Sequence, residues 1–161
     1  MAAIPDALMT LYNGLEGLLG KHISEFCSNG YTDDSENHCA HFVSHVRGYS
    51  FGYTCKTAGN GSSAGANIRV HEVFARCPEA GLFSAKGNIV ECLAFVTKSA
   101  GVTPATKTMA NIPKKHIGIY SLGHIYHYSN SRHKVWKDTP AEFAAHYPGD
   151  GFQVYYGTFP I

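Results

Sequence analysis

The chain has little charge and no excess of either sign. Over 161 residues, 13 Lys and Arg stand against 12 Asp and Glu, and charged residues make up 16%. That balance carries no electrostatic footprint for nucleic acid or for an anionic membrane surface. No apolar run reaches the roughly 20 residues of a membrane-spanning helix. The start, Met1-Ala2-Ala3-Ile4-Pro5-Asp6-Ala7-Leu8, lacks the basic and apolar regions of a secretory signal. The expectation is synthesis in the cytoplasm, with any later export by a route that needs no cleaved signal. There is no Cys-x-x-Cys pair among Cys27, Cys39, Cys55, Cys77 and Cys92, which argues against a structural zinc site. The glycine-rich stretch 57–66 lacks the Gly-Lys-Ser/Thr of a phosphate loop and reads as a linker. No internal repeat is visible.

What is present suits one globular domain, 1–161, with a sizeable core. Hydrophobic residues make up 44%, and 17 glycines and 10 tyrosines point to turns and β-structure. The odd cysteine count leaves at least one thiol outside any disulfide. Cys27 and Cys55 flank the Cys39 segment and could pair in an oxidising compartment.

The segment Asn37-His38-Cys39-Ala40-His41-Phe42-Val43-Ser44-His45-Val46-Arg47-Gly48 is the centre of the pattern. Phe42, Val43 and Val46 follow Cys39 at helical spacing, so Cys39 opens a helix at the top of its inward face. Asn37 or Ser35 is the expected N-cap. A thiol in the first turn meets the positive end of the helix dipole, which favours the thiolate that a nucleophile needs. Core packing is the equal alternative at this point.

Around this segment the expected elements are a helix over 5–20 on Leu8, Leu11, Leu15, Leu18 and Leu19 and a helix over 67–77 on Val70, Val73, Phe74 and Cys77. A buried strand over 89–96, a hairpin of 116–120 with 124–128 about Ser121-Leu122-Gly123, and a strand over 134–137 follow. Thr139-Pro140-Ala141-Glu142 is a capping box opening a short helix. A last strand spans 152–159. Helices first and antiparallel strands after make an α+β layout.

In the hairpin, Ile117 and Ile119 face one way and His116, Gly118 and Tyr120 the other. Gly118 would leave open space beside His116. An even-numbered hairpin loop puts His116 and His127 on one face of neighbouring strands, and an odd one separates them. Two adjacent histidines suit a base and its orienter. Asn130 is the second candidate orienter.

Cys39 with its helix, followed by His116-Ile117-Gly118-Ile119-Tyr120 and then His127, resembles the NlpC/P60 superfamily of papain-like cysteine peptidases and its CHAP amidase relatives. The likeness runs from Asn37 to Asn130. His38-Cys39-Ala40 stands where that family has Asp-Cys-Ser/Gly, and Glu91-Cys92 stands where it has Gly-Asp. The cysteine stretch is also similar to that of lecithin retinol acyltransferase-like enzymes, in which the histidine strand precedes the cysteine; the order here favours the peptidoglycan-type hydrolases.

The resemblance implies a nucleophile helix packed on a small antiparallel sheet, without a cofactor or metal. It implies amide hydrolysis in the stem peptide of bacterial peptidoglycan. Cys39 would attack, His116 would be base then acid, His127 would orient it, and amides at the helix start would meet the oxyanion. A small chain of this kind looks like amidase effectors delivered by type VI secretion. That implies entry into a target periplasm, a cognate immunity protein as partner, and a monomer.

Three other readings stand beside it. One is an acyltransferase or thioesterase of the same superfamily, and another is a non-catalytic binding module. The third is a zinc hydrolase using His38, His41 and His45, although no His-Glu-x-x-His is present and a solvated histidine face is the simpler account. His22, His71, His133 and His146 read as surface or hydrogen-bonded residues.

Overall fold

The computed structural model describes residues 6–27, 32–49 and 69–160. Cys55, which the sequence offers as a partner for Cys27 in an oxidising compartment, and the linker 57–66 lie outside the described residues. Helix α1, Asp6–Leu18, buries Leu15 fully and sets Leu11 and Leu18 against the same core. The chain turns at Gly20, whose φ of 81° suits a residue without Cβ. Gly20 N–H then donates to the Val135 carbonyl at 2.9 Å, and Val135 N–H returns to Lys21 at 3.0 Å.

Helix α2 is Cys39–Arg47, ended by left-handed Gly48. Helix α3 is Val70–Arg76. Both follow the expected inward stripes: Cys39, Phe42, Val43, Val70, Val73 and Phe74 are all buried.

The strands are β1 Ala80–Leu82, β2 Glu91–Lys98, β3 Val102–Thr103, β4 Thr108–Met109, β5 Lys115–Ser121, β6 His124–Ser129, β7 Lys134–Asp138 and β8 Phe152–Gly157. Six of them form an antiparallel sheet in the order β1-β8-β2-β5-β6-β7, with β3 and β4 as a separate ribbon. Strand β2 is central, between β5 and β8. That explains its unbroken apolar run, because Cys92 through Thr97 are buried on both faces. Helix α4, Pro140–Ala144, starts with the expected reciprocal cap between Thr139 and Glu142. The architecture is α+β, as the order of elements implies.

The sheet divides two cores. On one face Phe42 and Val43 of α2 and Val73 and Phe74 of α3 meet Leu93, Phe95, Ile117, Ile119, Tyr126 and Tyr128. On the other, Phe143 of α4 packs with Ala94, Val96, Ile125 and Val154.

The β5–β6 loop has two residues, since Ser121 pairs with His124. Leu122 and Gly123 both have positive φ, 48° and 102°, the backbone of a tight hairpin turn matched to strand twist. Its even length keeps His116, Gly118 and His127 on one face.

The open space expected beside Gly118 is absent. A Cβ there would lie 2.7 Å from Ile125 Cγ2, 2.8 Å from the Tyr126 carbonyl oxygen and 3.1 Å from His127 Cβ. Glycine is needed because β6 closes directly onto β5. Gly118→Ala should therefore cost about 1–3 kcal/mol by overpacking. Denaturant midpoints of the two proteins measure it, and equal midpoints would mean that β6 moves aside freely.

Candidate functional site

Strand β5 begins at the end nearest α2, and there two expectations meet different fates. His116 and His127 come together: His116 Nε2 lies 2.8 Å from His127 Nδ1, with the rings edge to face. Both are buried to 1% exposure. His127 Nε2 lies 2.9 Å from Asp138 Oδ2. The register explains this third member. Asp138 of β7 pairs with Ile125, two residues along β6 from His127, so all three side chains share a face.

This chain fixes proton positions. An ionised Asp138 accepts from His127 Nε2–H, which leaves His127 Nδ1 as an acceptor. His116 must then donate through Nε2–H, leaving its Nδ1 bare as a base. Burial first, and then the closeness of two further imidazoles, His127 and His146, holds His116 well below the ordinary imidazole value, so it rests neutral.

His146 is partly buried and belongs to the same cluster. The turn after α4 lays it flat on His116, with centroids 4.0 Å apart and planes 7° from parallel. Phe143 and Tyr147 complete an aromatic wall around these rings. The nitrogens of His116, His127 and His146 lie within 4.8 Å of one another, yet metal ligation is a poor fit. Ligand lone pairs lie in the ring plane, and two parallel stacked rings cannot aim theirs at one ion. The 2.8 Å between His116 and His127 is also shorter than the ~3.3 Å that two nitrogens hold around a tetrahedral zinc.

Cys39 opens α2 as expected but makes no hydrogen bond to either ring among the described residues. It packs in the core with Ile117 and Ile119, while His116 faces Phe143 on the opposite side. The backbone amides of Ile117 and Ala40 approach its thiol, and Lys115 lies near enough to favour its ionised form. The expected lowering by the helix dipole is overturned. Burial to 2% exposure pushes the thiol up to about 11, so it rests protonated.

The cap is corrected too. His38 is the N-cap residue and gives no side-chain cap. Asn37 Oδ1 instead accepts the Cys39 amide at 3.0 Å, which takes that amide away from an oxyanion. Asn130 is not an orienter of His116. Its Oδ1 accepts from His38 N–H at 2.9 Å and its Nδ2 donates to Asn37 Oδ1 at 3.2 Å. Asn130 ties the start of α2 to the end of β6.

A second histidine cluster overturns the expectation of a solvated face. His38 and His41 are buried to 1% and 2% exposure. His38 Nδ1 lies 2.9 Å from His41 Nδ1, and His41 Nε2 lies 3.1 Å from His45 Nε2. Desolvation, with His45 and His38 nearby, lowers His41 to about 3. Asp138 and His146 were missed by sequence reasoning. The only signal for Asp138 was its place at the end of a strand neighbouring His127.

A cleft of about 390 Å³ is lined by Pro78, Glu79, Ala80, Pro104, Ala105, Lys107 and Tyr156. Neither Cys39 nor any histidine borders it. No family model, curated protein or solved structure matches the chain.

Burial holds His38, His41, His116 and His146 below the ordinary imidazole value. Unfolded, each takes a proton near pH 6.5. The unfolded chain therefore binds more protons below that pH, and stability falls as pH drops from about 6.5 toward the folded values. Thermal denaturation between about pH 7.5 and 5 should show a falling Tm. A constant Tm would mean that these rings protonate freely in the fold.

Proposed function

We propose that this chain is a cysteine hydrolase of papain-like, NlpC/P60-type architecture that cleaves an amide bond in the peptide part of bacterial peptidoglycan. The observation that carries this reading is the hydrogen-bonded chain Asp138–His127–His116, on the strand β5 that also packs against the Cys39 helix through its other face. Such a chain has a clear use: it holds a neutral imidazole in one tautomer with a bare Nδ1.

A resting thiol rather than a thiolate sets the order of events. In the resting structure Cys39 and His116 lie on opposite faces of the sheet, so the proposed reaction requires the thiol to move to the His116 side when substrate binds. His116 Nδ1 then takes the Cys39 proton as Sγ attacks the carbonyl carbon, and the carbonyl electron pair moves onto oxygen. Collapse breaks the C–N bond, and the amine departs with the proton from His116. Water, deprotonated by the same ring, then cleaves the thioester and restores the thiol. His127 orients His116 and Asp138 positions His127. The type VI route, the periplasm of a target cell and a protective immunity protein belong to the same proposal.

Purified peptidoglycan digested by the wild-type protein should show new free amines in fragments read by mass spectrometry. Cys39→Ala should give none. Asp138→Asn should lower kcat by roughly 10–100-fold and leave KM unchanged, as for loss of an orienting partner. Empty profiles from wild type and Cys39→Ala alike would overturn the assignment. The 2% exposure of Cys39 favours one second reading, a non-catalytic module that keeps the fold. In that case Cys39→Ala retains the full biological effect.

A further inference from the structure

We propose that Cys27, His41 and His45 form a binding site for a single zinc-class transition-metal ion that clamps the segment after the 3-10 turn Ile23–Glu25 onto helix α2. Their ligand atoms, one sulfur and two imidazole nitrogens, lie within 4.8 Å of one another. Cys27 and His41 are buried, and His45 is partly so. His41 and His45 stand four residues apart on α2, one helical turn. Their Nε2 atoms are 3.1 Å apart, close to the ~3.3 Å of two nitrogens around a tetrahedral ion. Their planes are inclined at 52°, so their in-plane lone pairs can converge, which the parallel His116 and His146 cannot do.

The surrounding bonds prepare His41 as a ligand. His38 Nε2 lies 2.8 Å from the Asp33 carbonyl, so it must be the donor. His38 Nδ1 is then an acceptor, and His41 donates to it through Nδ1–H. That leaves Nε2 of His41 as the lone pair turned toward the cluster. A ligating histidine held from behind by such a chain is the common arrangement at metal sites. The far end of the chain is itself fixed: Asp33 Oδ1 accepts Ser35 N–H at 2.8 Å, and neighbouring Asp34 bonds His22 at 2.6 Å.

A thiolate with two imidazoles selects zinc and its borderline-soft neighbours over magnesium or calcium, which take oxygen. The three atoms supply three of zinc's four positions. On binding, Cys27 gives up its thiol proton to solvent and the proton held between the two Nε2 atoms is displaced, so that binding releases protons and strengthens as pH rises. Such an ion would stiffen the helix that carries Cys39, whether or not Cys39 is a nucleophile.

Cobalt(II) added to the reduced full-length protein tests the site. The expected result is one equivalent bound, with a thiolate-to-cobalt charge-transfer band in the near ultraviolet. The band should be lost in Cys27→Ser and in His45→Gln and kept in His146→Gln. Zinc at about a hundredfold excess over Kd should raise Tm by roughly 5–10 °C in the wild type and in neither ligand variant. His45 is only partly buried, so His45→Gln should fold and decide the matter even if Cys27→Ser does not. Absence of the band, its survival in Cys27→Ser or His45→Gln, or its loss in His146→Gln overturns the proposal.

Discussion

The register of the β5–β6 hairpin governs both faces of the sheet. With two residues in the turn, Ile119 stands opposite Tyr126 and Tyr120 opposite Ile125. The odd residues of β5 and the even residues of β6 then build the core under α2. The complementary set carries His116 and His127. A slip of one residue would send Ile117 and Ile119 to the α4 side and split the histidine pair. The two positive φ values at Leu122 and Gly123 are thus the local condition for a structural core and a chemical one. Continuation through β7 brings Asp138 to the same face by the same parity.

Desolvation against local dipoles decides the protonation of both groups on which the proposed chemistry depends. A helix dipole stabilises a charge at its end by about 0.3–1 kcal/mol. The rise of the Cys39 thiol from 9.0 to about 11 corresponds to roughly 3 kcal/mol, so burial wins over the dipole and over the Ile117 and Ala40 amides. Burial also strips the proton from His116. The outcome is a neutral thiol and a neutral imidazole rather than a preformed ion pair. The proposed hydrolysis therefore needs proton transfer during attack, as a hydroxyl nucleophile does, and the tautomer chain to Asp138 matters more than it would beside a thiolate.

The periodicities read from the chain were those of its strongest elements. The stripes of α1, α2 and α3, the alternation of β5 and β6, the unbroken apolar run of β2 and the Thr139–Glu142 cap are all patterns written within a few consecutive residues. Strand β1 was not legible, because three residues, Ala80–Leu82, have no period and owe their form to pairing with β8. Gly118 was read with the wrong sign. Sequence says that a side chain is missing and cannot say whether the neighbouring strand takes the space. Asp138 and His146 were hidden for a related reason. Each reaches His127 or His116 across strand or helix connections that no spacing rule encodes.

The burial of His41 shows what tertiary packing adds to a helical pattern. His41 lies outside the apolar stripe of α2, and an isolated helix would turn it to solvent. It is covered because the chain after α1 returns across this side, with Phe26 set against Phe42 and His45 at ring distances of 5.9 and 6.0 Å. The return is held by Ile23 N–H donating to the Tyr128 hydroxyl at 3.1 Å and by the backbone pair between Lys21 and Val135. The same return sets Cys27 beside two histidines that the helix already spaces one turn apart. Burying three imidazoles without partners would cost several kcal/mol. The bonds from Asp33 through His38 and His41 to His45 offset that cost. They also hold the donor atoms in a convergent geometry that an apolar core would have no reason to keep.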